Sequence, residues 1–439
     1  MITTKYGKVS GIEKEGCDAY LGIPFAKPPV GELAFKHPVE PDPWDGVYEA
    51  TKGSPNPIQP SGKFAYGNND MDCLYLNVFV PKGAKGPLPV MVWIFGGAFT
   101  YGGVGAITKG STELNYDLAR FAKETNTVAV SINYRLGAYG FLNLNYLSPD
   151  FDRNNGLYDQ IQGLKFVKEN ISAFGGDPDN VTLFGESAGA ASVLALMSMD
   201  DAKGLFHKAI AQSPCADHFY TEEQAEEKTQ FFLKIAGFDD VTQFHNLPPK
   251  SIAKMSNAFF NAVILKTEMR CPFEPTIDGV TLKVRPIDGA AASGIPLLIG
   301  NNKEEANLFV GRISTVFLSI ASAFFSFGEA KEGEGTKEHV SRAVSDSLFT
   351  ESIHELLGKY TGKMWYYNYN HVVEGSELGC YHASEIPVLF GFEESFDGCP
   401  IDRDDETGKK MREAWAGFAW STDPGWSEYK DDKNPHIFE

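Results

Sequence analysis

Three segments of the chain are apolar almost without interruption: Pro89–Phe95, Thr127–Asn133 and Asn180–Phe184. Short runs of this kind, with no alternation of polar and apolar positions, are what a strand buried on both faces presents. Between and after them the period changes. Asp159–Asn170 places Ile161, Leu164, Phe166 and Val167 at helical spacing, and Ser187–Met199 is a small-residue stretch suited to a tightly packed helix. Leu114–Glu124 is also compatible with a helix, while Lys208–Ala211, Pro296–Ile299 and Trp365–Tyr369 read as later strands. Strands alternating with helices predict a mainly parallel sheet covered by helices on both faces.

The N-terminal third is different. Short strand-like runs at Lys8–Ile12 and Ala19–Ile23 lead into a proline-rich loop from Pro24 to Pro60, and the β-rich Leu74–Val80 is stopped by Pro81. Two helical stretches interrupt the alternation further on. One opens at Thr221-Glu-Glu-Gln224, a capping box, and closes near Gly237; the other covers residues 312–358, broken by the charged, glycine-bearing Gly328–Lys337. The expected organisation is one α/β domain over residues 1–439, with lid or cap insertions at about 215–290 and 308–362.

Composition narrows the function classes. Of 439 residues, 43% are hydrophobic and 22% charged, which excludes wholesale disorder. Acids outnumber bases 58 to 39, for a formal charge of -19. Such a surface repels phosphate backbones and anionic headgroups, so no nucleic-acid or membrane partner is expected. The six cysteines are scattered, with no C-x-x-C pair and no Cys/His cluster at zinc spacing. The N-terminus lacks an apolar signal region, and the apolar stretch Thr315–Phe327 is too short to span a bilayer. A cytoplasmic, monomeric protein with reduced thiols is expected.

The sharpest chemical signal is Gly185-Glu-Ser187-Ala-Gly189, where the strand ending at Phe184 turns into the Ser187–Met199 helix. A G-x-S-x-G at a strand–turn–helix junction holds its serine in a strained backbone conformation with the hydroxyl exposed. The helix N-terminus adds partial positive charge where an oxyanion would develop. One oxyanion donor is the N–H of Ala188. Others are sought in Gly96-Gly97-Ala98-Phe99, directly after the strand ending at Phe95. The base belongs in the loop after a late strand, where both His371 and His382 stand; the acid belongs after Pro296–Gly300, where Glu304 and Glu305 are adjacent. Spacing leaves both choices open.

These residues resemble the type-B carboxylesterases, the family of bacterial para-nitrobenzyl esterases and the cholinesterases. The resemblance rests on Gly22-Ile-Pro-Phe-Ala-Lys-Pro-Pro-Val-Gly31, Asp72-Cys-Leu-Tyr-Leu-Asn-Val78, Phe174-Gly-Gly-Asp-Pro178, Asn180–Gly189, Pro296–Gly300 and His382–Gly391, spread over most of the chain. It implies an α/β-hydrolase fold and a serine carboxylesterase acting on short-chain acyl or aryl esters. An amidase, a thioesterase or a non-catalytic binding protein on the same fold are the alternatives. It implies Ser187 as nucleophile, Glu305 as acid and His382 as base, oxyanion donors at Gly97, Ala98 and Ala188, and a buried polar shell of Glu186, Ser213 and Glu385. No cofactor or metal is implied, and the only partner is a small-molecule ester.

The chain departs from the family at Phe95 (usually His or Tyr), Met71 (an acid), Pro214 (a glycine) and Glu304-Glu305-Ala306 (Asp-Glu-Gly). Phe99, Phe259, Phe260 and the Phe317–Phe327 cluster are candidate pocket aromatics, with most expected to be ordinary core.

Overall fold

The computed structural model describes all residues except 63–64, 239–240, 266–269, 312–329, 332–334 and 431–434. Along the chain its strands are β1 Ile2–Thr4, β2 Gly7–Ser10, β3 Ile12–Lys14, β4 Cys17–Pro24, β5 Val47–Glu49, β6 Tyr75–Pro81, β7 Leu88–Ile94 and β8 Val128–Ile132. There follow β9 Gly176–Glu186, β10 Lys208–Gln212, β11 Tyr220–Thr221, β12 Thr276–Ile277, β13 Leu297–Asn302, β14 Met364–Tyr369 and β15 His436–Phe438.

A ten-stranded sheet in the order β15-β14-β13-β10-β9-β7-β8-β6-β4-β3 runs through the molecule. From β15 to β8 all neighbours are parallel; β6, β4 and β3 add an antiparallel edge. The three apolar runs supply β7, β8 and the end of β9. Every residue of β7 and β8 is buried, as strands covered on both faces require. The fold class is therefore α/β hydrolase, with β9 between β7 and β10 at the centre of the sheet.

Helices Asn155–Asn170 and Ala188–Ser198 pack against the sheet. The first is fixed to the loop after β8 by a fully buried ion pair. Asp159 Oδ1 lies 2.7 Å from Arg135 Nη2, and Asp159 Oδ2 accepts from Arg135 Nε at 2.8 Å and from its backbone N–H at 3.0 Å.

Some boundaries differ from those the periodicity predicts. The helix expected over Leu114–Glu124 spans only Ala119–Thr125: Leu114 forms a bridge with Ala106, and Asp117 accepts the Ala119 N–H at 3.0 Å, so the helix starts there. The helix expected from Asp159 begins at Asn155, after Asn154 in the left-handed region at φ 52°. The run Lys8–Ile12 is split at Gly11 between two sheets, where a Cβ would stand 2.4 Å from the Ala19 carbonyl.

Helices Glu222–Ala236 and Pro249–Leu265 pack against each other. The capping box forms as the sequence predicts, with Gln224 N donating to Thr221 Oγ1 at 3.2 Å and Thr221 N to Gln224 Oε1 at 3.0 Å. Phe232, Phe259 and Phe273 hold this layer together at centroid distances of 5.4 Å (Phe232–Phe259) and 5.2 Å (Phe259–Phe273). Phe99 and Phe259 are buried packing residues, and Phe260 stands edge-on to Tyr101. A second helical layer runs from Thr336–Ser345 through a π-helical turn, Asp346–Thr350, into Glu351–Lys359. The Phe317–Phe327 cluster lies outside the described residues.

Candidate active site

Strand β9 ends at Glu186, and the chain reverses at once into helix Ala188–Ser198. Ser187, between them, has φ 57° and ψ −123°, a conformation that L-residues adopt only when their surroundings force it. The surroundings do so through glycine. A Cβ on Gly189 would stand 2.1 Å from the Ile94 carbonyl, and one on Gly185 would stand 2.7 Å from it. The turn is therefore pressed against the end of β7 more closely than any side chain allows. Ser187 N donates to the Gln212 carbonyl at 2.9 Å, which ties the turn to β10 on the other side.

The loop after β7 lies directly against this turn, since a Cβ on Gly96 would be 3.0 Å from Ser187 Cβ. Gly97, Ala98 and Phe99 all have positive φ, at 111°, 55° and 55°. Tyr101 N closes the loop on the Gly97 carbonyl at 2.9 Å, and Gly137 N anchors the Phe99 carbonyl at 2.8 Å. Among the described residues, no protein acceptor takes the N–H of Gly97, Ala98 or Ala188. Three unused amides beside a serine at a helix N-terminus make a ready anion cradle. The departure at Phe95 leaves this loop supported: its ring stacks on Tyr134 at 4.3 Å, and its carbonyl accepts the Tyr134 hydroxyl at 2.8 Å.

The two choices left open by spacing separate in three dimensions. His382 Nδ1 lies 2.7 Å from Glu305 Oε2, and His382 N donates to the Glu305 carbonyl at 3.0 Å. Glu304 instead accepts the Cys380 N–H at 3.0 Å. His371 lies elsewhere, with Nε2 3.2 Å from Asp405 and Nδ1 3.3 Å from Thr407 Oγ1. Glu305 is completely buried, and its other oxygen accepts the Asn302 N–H at 2.7 Å. Ala306 adopts ordinary helical angles, φ −71° and ψ −8°, so the missing glycine leaves no strain beside the acid.

His382 Nε2 points into the serine turn. It stands 3.1 Å from Glu186 Oε1, the residue before Ser187, and among the described residues no hydrogen bond joins it to Ser187 Oγ. Burial works against a charged imidazole here, but Glu186, Glu305 and Glu385 outweigh it and hold His382 above the ordinary histidine value of 6.5. Burial likewise pushes the Glu186 carboxyl up, with His382 opposing the shift and the two other carboxylates adding to it.

Glu385 reaches the site indirectly. Its oxygens accept from Asn302 Nδ2 at 2.7 Å and from Gln212 Nε2 at 3.1 Å, so it braces the ends of β10 and β13. Burial raises its carboxyl as well. Ser213 has φ 46°, and its N–H donates to the Gly300 carbonyl at 2.8 Å, but its hydroxyl is buried without a partner among the described residues. Asn302 and Gln212 were not visible as site residues in the sequence; both sit at strand ends, where parallel-sheet sites are built.

Two phenylalanines flank the imidazole. The ring of Phe349, in the π-helical turn, is 4.6 Å from that of His382, and the ring of Phe309 is 5.6 Å from it.

The carboxylesterase family model matches residues 1–321. The para-nitrobenzyl esterase of Bacillus subtilis is 36% identical over 98% of this chain and 93% of its own length. The phenmedipham hydrolase of Pseudarthrobacter oxydans is 30% identical over 96% and 90%. Among solved structures, a PNB esterase superposes with a TM-score of 0.85 at 34% identity, covering 98% of this chain and 93% of that one.

Proposed function

Because the chain belongs to the carboxylesterase family and is a serine carboxylesterase, we propose that Ser187 is its nucleophile, His382 its general base and Glu305 the carboxylate that orients the base. The observation that carries this assignment is the buried 2.7 Å contact between Glu305 Oε2 and His382 Nδ1, which fixes the ring with Nε2 turned toward the serine turn.

In this reading His382 Nε2 takes the Ser187 proton as Oγ attacks the ester carbonyl. The tetrahedral oxyanion sits in the cradle of Gly97, Ala98 and Ala188 N–H groups. The imidazolium then protonates the departing alcohol oxygen, and water repeats the sequence on the acyl-enzyme. Base, nucleophile and oxyanion donors all come from the chain, so the reaction requires no metal. Among the described residues no hydrogen bond joins Ser187 to His382, so substrate binding must bring the hydroxyl within reach of Nε2. The carboxylate next to Nε2 favours the imidazolium that the reaction must generate.

The expected substrates are short-chain acyl and aryl esters, in keeping with relatives named for para-nitrobenzyl esters and phenmedipham. We read the described helices Glu222–Ala236, Pro249–Leu265, Thr336–Ser345 and Glu351–Lys359 as cap elements inserted in a single domain. We place the enzyme in the cytoplasm as a monomer: all six cysteines are unpaired, as a reducing compartment requires. No helix among the described residues is long and apolar enough to cross a membrane.

The test is hydrolysis of p-nitrophenyl acetate, butyrate and octanoate by the wild type and by Ser187→Ala, His382→Ala and His371→Ala. Turnover should vanish in the first two variants and persist in the third. Wild-type rates in Ser187→Ala would overturn the assignment. Loss in His371→Ala with retention in His382→Ala would replace the base.

A further inference from the structure

Strands β11 and β12 pair in parallel, Tyr220 opposite Thr276 and Thr221 opposite Ile277. The segments leading into them therefore lie side by side at the foot of the helical layer. His218 comes from the first segment, Cys271 and Glu274 from the second. A ring nitrogen of His218, the Cys271 sulfur and a Glu274 carboxylate oxygen all lie within 4.8 Å of one another. We propose that His218, Cys271 and Glu274 form a binding site for one divalent ion of the zinc class, built from residues other than Ser187, His382 and Glu305.

The donor set is the first support. Imidazole nitrogen, thiolate sulfur and carboxylate oxygen together suit a borderline-soft dication such as Zn2+ over Mg2+ or Ca2+. The geometry is the second. Two ligands each ~2.0–2.1 Å from a tetrahedral zinc are about 3.4 Å apart, and His218 Nδ1 stands 3.3 Å from Glu274 Oε1. That nitrogen is buried and close to the carboxylate, yet has no hydrogen-bond geometry to any acceptor or donor among the described residues. The spacing is the third: Cys271 and Glu274 are three residues apart on one turn, and the remaining ligand comes from a remote segment.

The surroundings have the form of an outer shell. Glu274, completely buried, gives Oε2 to Arg270 Nη2 at 2.6 Å, while Arg270 Nε reaches Oε1 at only 3.3 Å. The longer contact is the one an ion would displace; the shorter one would keep the carboxylate oriented. Cys271 N also donates to Oε1 at 3.0 Å, holding the turn closed. Arg270 is itself fixed, donating to the Phe219 carbonyl at 2.9 Å with its guanidinium 5.1 Å from the Tyr220 ring centroid. Cys271 is half-buried, so an ion could approach from the sulfur side.

The test uses the full-length, chelator-treated protein titrated with Co2+ and then Zn2+. One Co2+ should bind per chain with a near-ultraviolet thiolate-to-cobalt absorption that Zn2+ abolishes. The band should vanish in Cys271→Ser and persist in Cys215→Ser, whose nearby thiol is the obvious alternative, and in Ser187→Ala. Should Cys271→Ser fold poorly, Arg270→Gln provides a second reading, keeping the band while weakening affinity about 10–100-fold. Zn2+ should raise the melting temperature of the wild type and leave ester hydrolysis unchanged. No thiolate band at saturating Co2+, or a band lost in Cys215→Ser instead, would overturn the site. Neither result bears on the serine mechanism, which is tested by ester turnover alone.

Discussion

The ring of Phe349 packs against the imidazole of His382, with centroids 4.6 Å apart and planes inclined by 33°. Phe349 is 1% exposed and stands on a π-helical turn, a local widening of the helix that is frequent at functional sites. An aromatic face beside an imidazole favours its charged form and restricts its rotation. Phe349→Leu should therefore lower kcat by up to about tenfold, the equivalent of ~1.4 kcal/mol, with a smaller change in KM. Phe349→Tyr should restore most of the rate in steady-state kinetics. Equal turnover in both variants would show that the ring only fills space.

The charge around His382 predicts a pH profile. General-base action needs the neutral imidazole, so kcat/KM should rise with pH as His382 loses its proton. Glu186, Glu305 and Glu385 hold the folded-state value above 6.5, so the rise should fall above that pH. Glu186→Gln removes the carboxylate nearest Nε2, and the acidic limb should move to lower pH. An unmoved limb would mean that Glu186 does not act on the base.

Ser187 stores backbone strain, and two substitutions separate strain from chemistry. Ser187→Ala keeps the Cβ at φ 57° and should melt close to the wild type. Ser187→Gly relieves the conformation and should stabilise the folded chain by roughly 1 kcal/mol or more, offset in part by the entropy glycine adds to the unfolded state. Calorimetry of the two inactive variants decides the matter: a lower melting temperature for the glycine variant would mean that the turn is unstrained.

The Arg135–Asp159 pair is a stability element, 2% and 0% exposed. Removing one partner leaves a buried charge without compensation. Asp159→Ala should cost about 3–5 kcal/mol in denaturant unfolding, with a smaller loss when both residues become apolar together. A cost below 1 kcal/mol would show that water reaches the abandoned guanidinium.

What the sequence made legible was what local chemistry determines. Unbroken apolar runs marked β7, β8 and β9, Thr221 and Gln224 marked a helix start, and two glycines around Ser187 marked the turn. Spacing could not separate Glu304 from Glu305 or His371 from His382, because each pair follows the same strand. The difference lies in which side chain the end of β13 turns toward the loop after β14. The family resemblance pointed to the members of each pair that the structure brings into contact. Leu114–Leu118 looked helical until Leu114 was claimed by a bridge to Ala106. The two-residue strands β11 and β12 carried no signal at all. With them went any view of His218 meeting Cys271 and Glu274, a convergence that only tertiary pairing creates.

Glu305 and His382 stand 77 residues apart along the chain, and Ser187 precedes both. During synthesis the nucleophile turn can form on β7, β9 and β10 well before its partners leave the ribosome. At ~5–20 residues per second, His382 follows Glu305 by roughly 4 to 15 s. A chain that ends before His382 lacks the buried Glu305–His382 contact, and with it the base proposed for Ser187. The order of parts along the chain puts the proposed base last, after nearly all of the sheet that positions it.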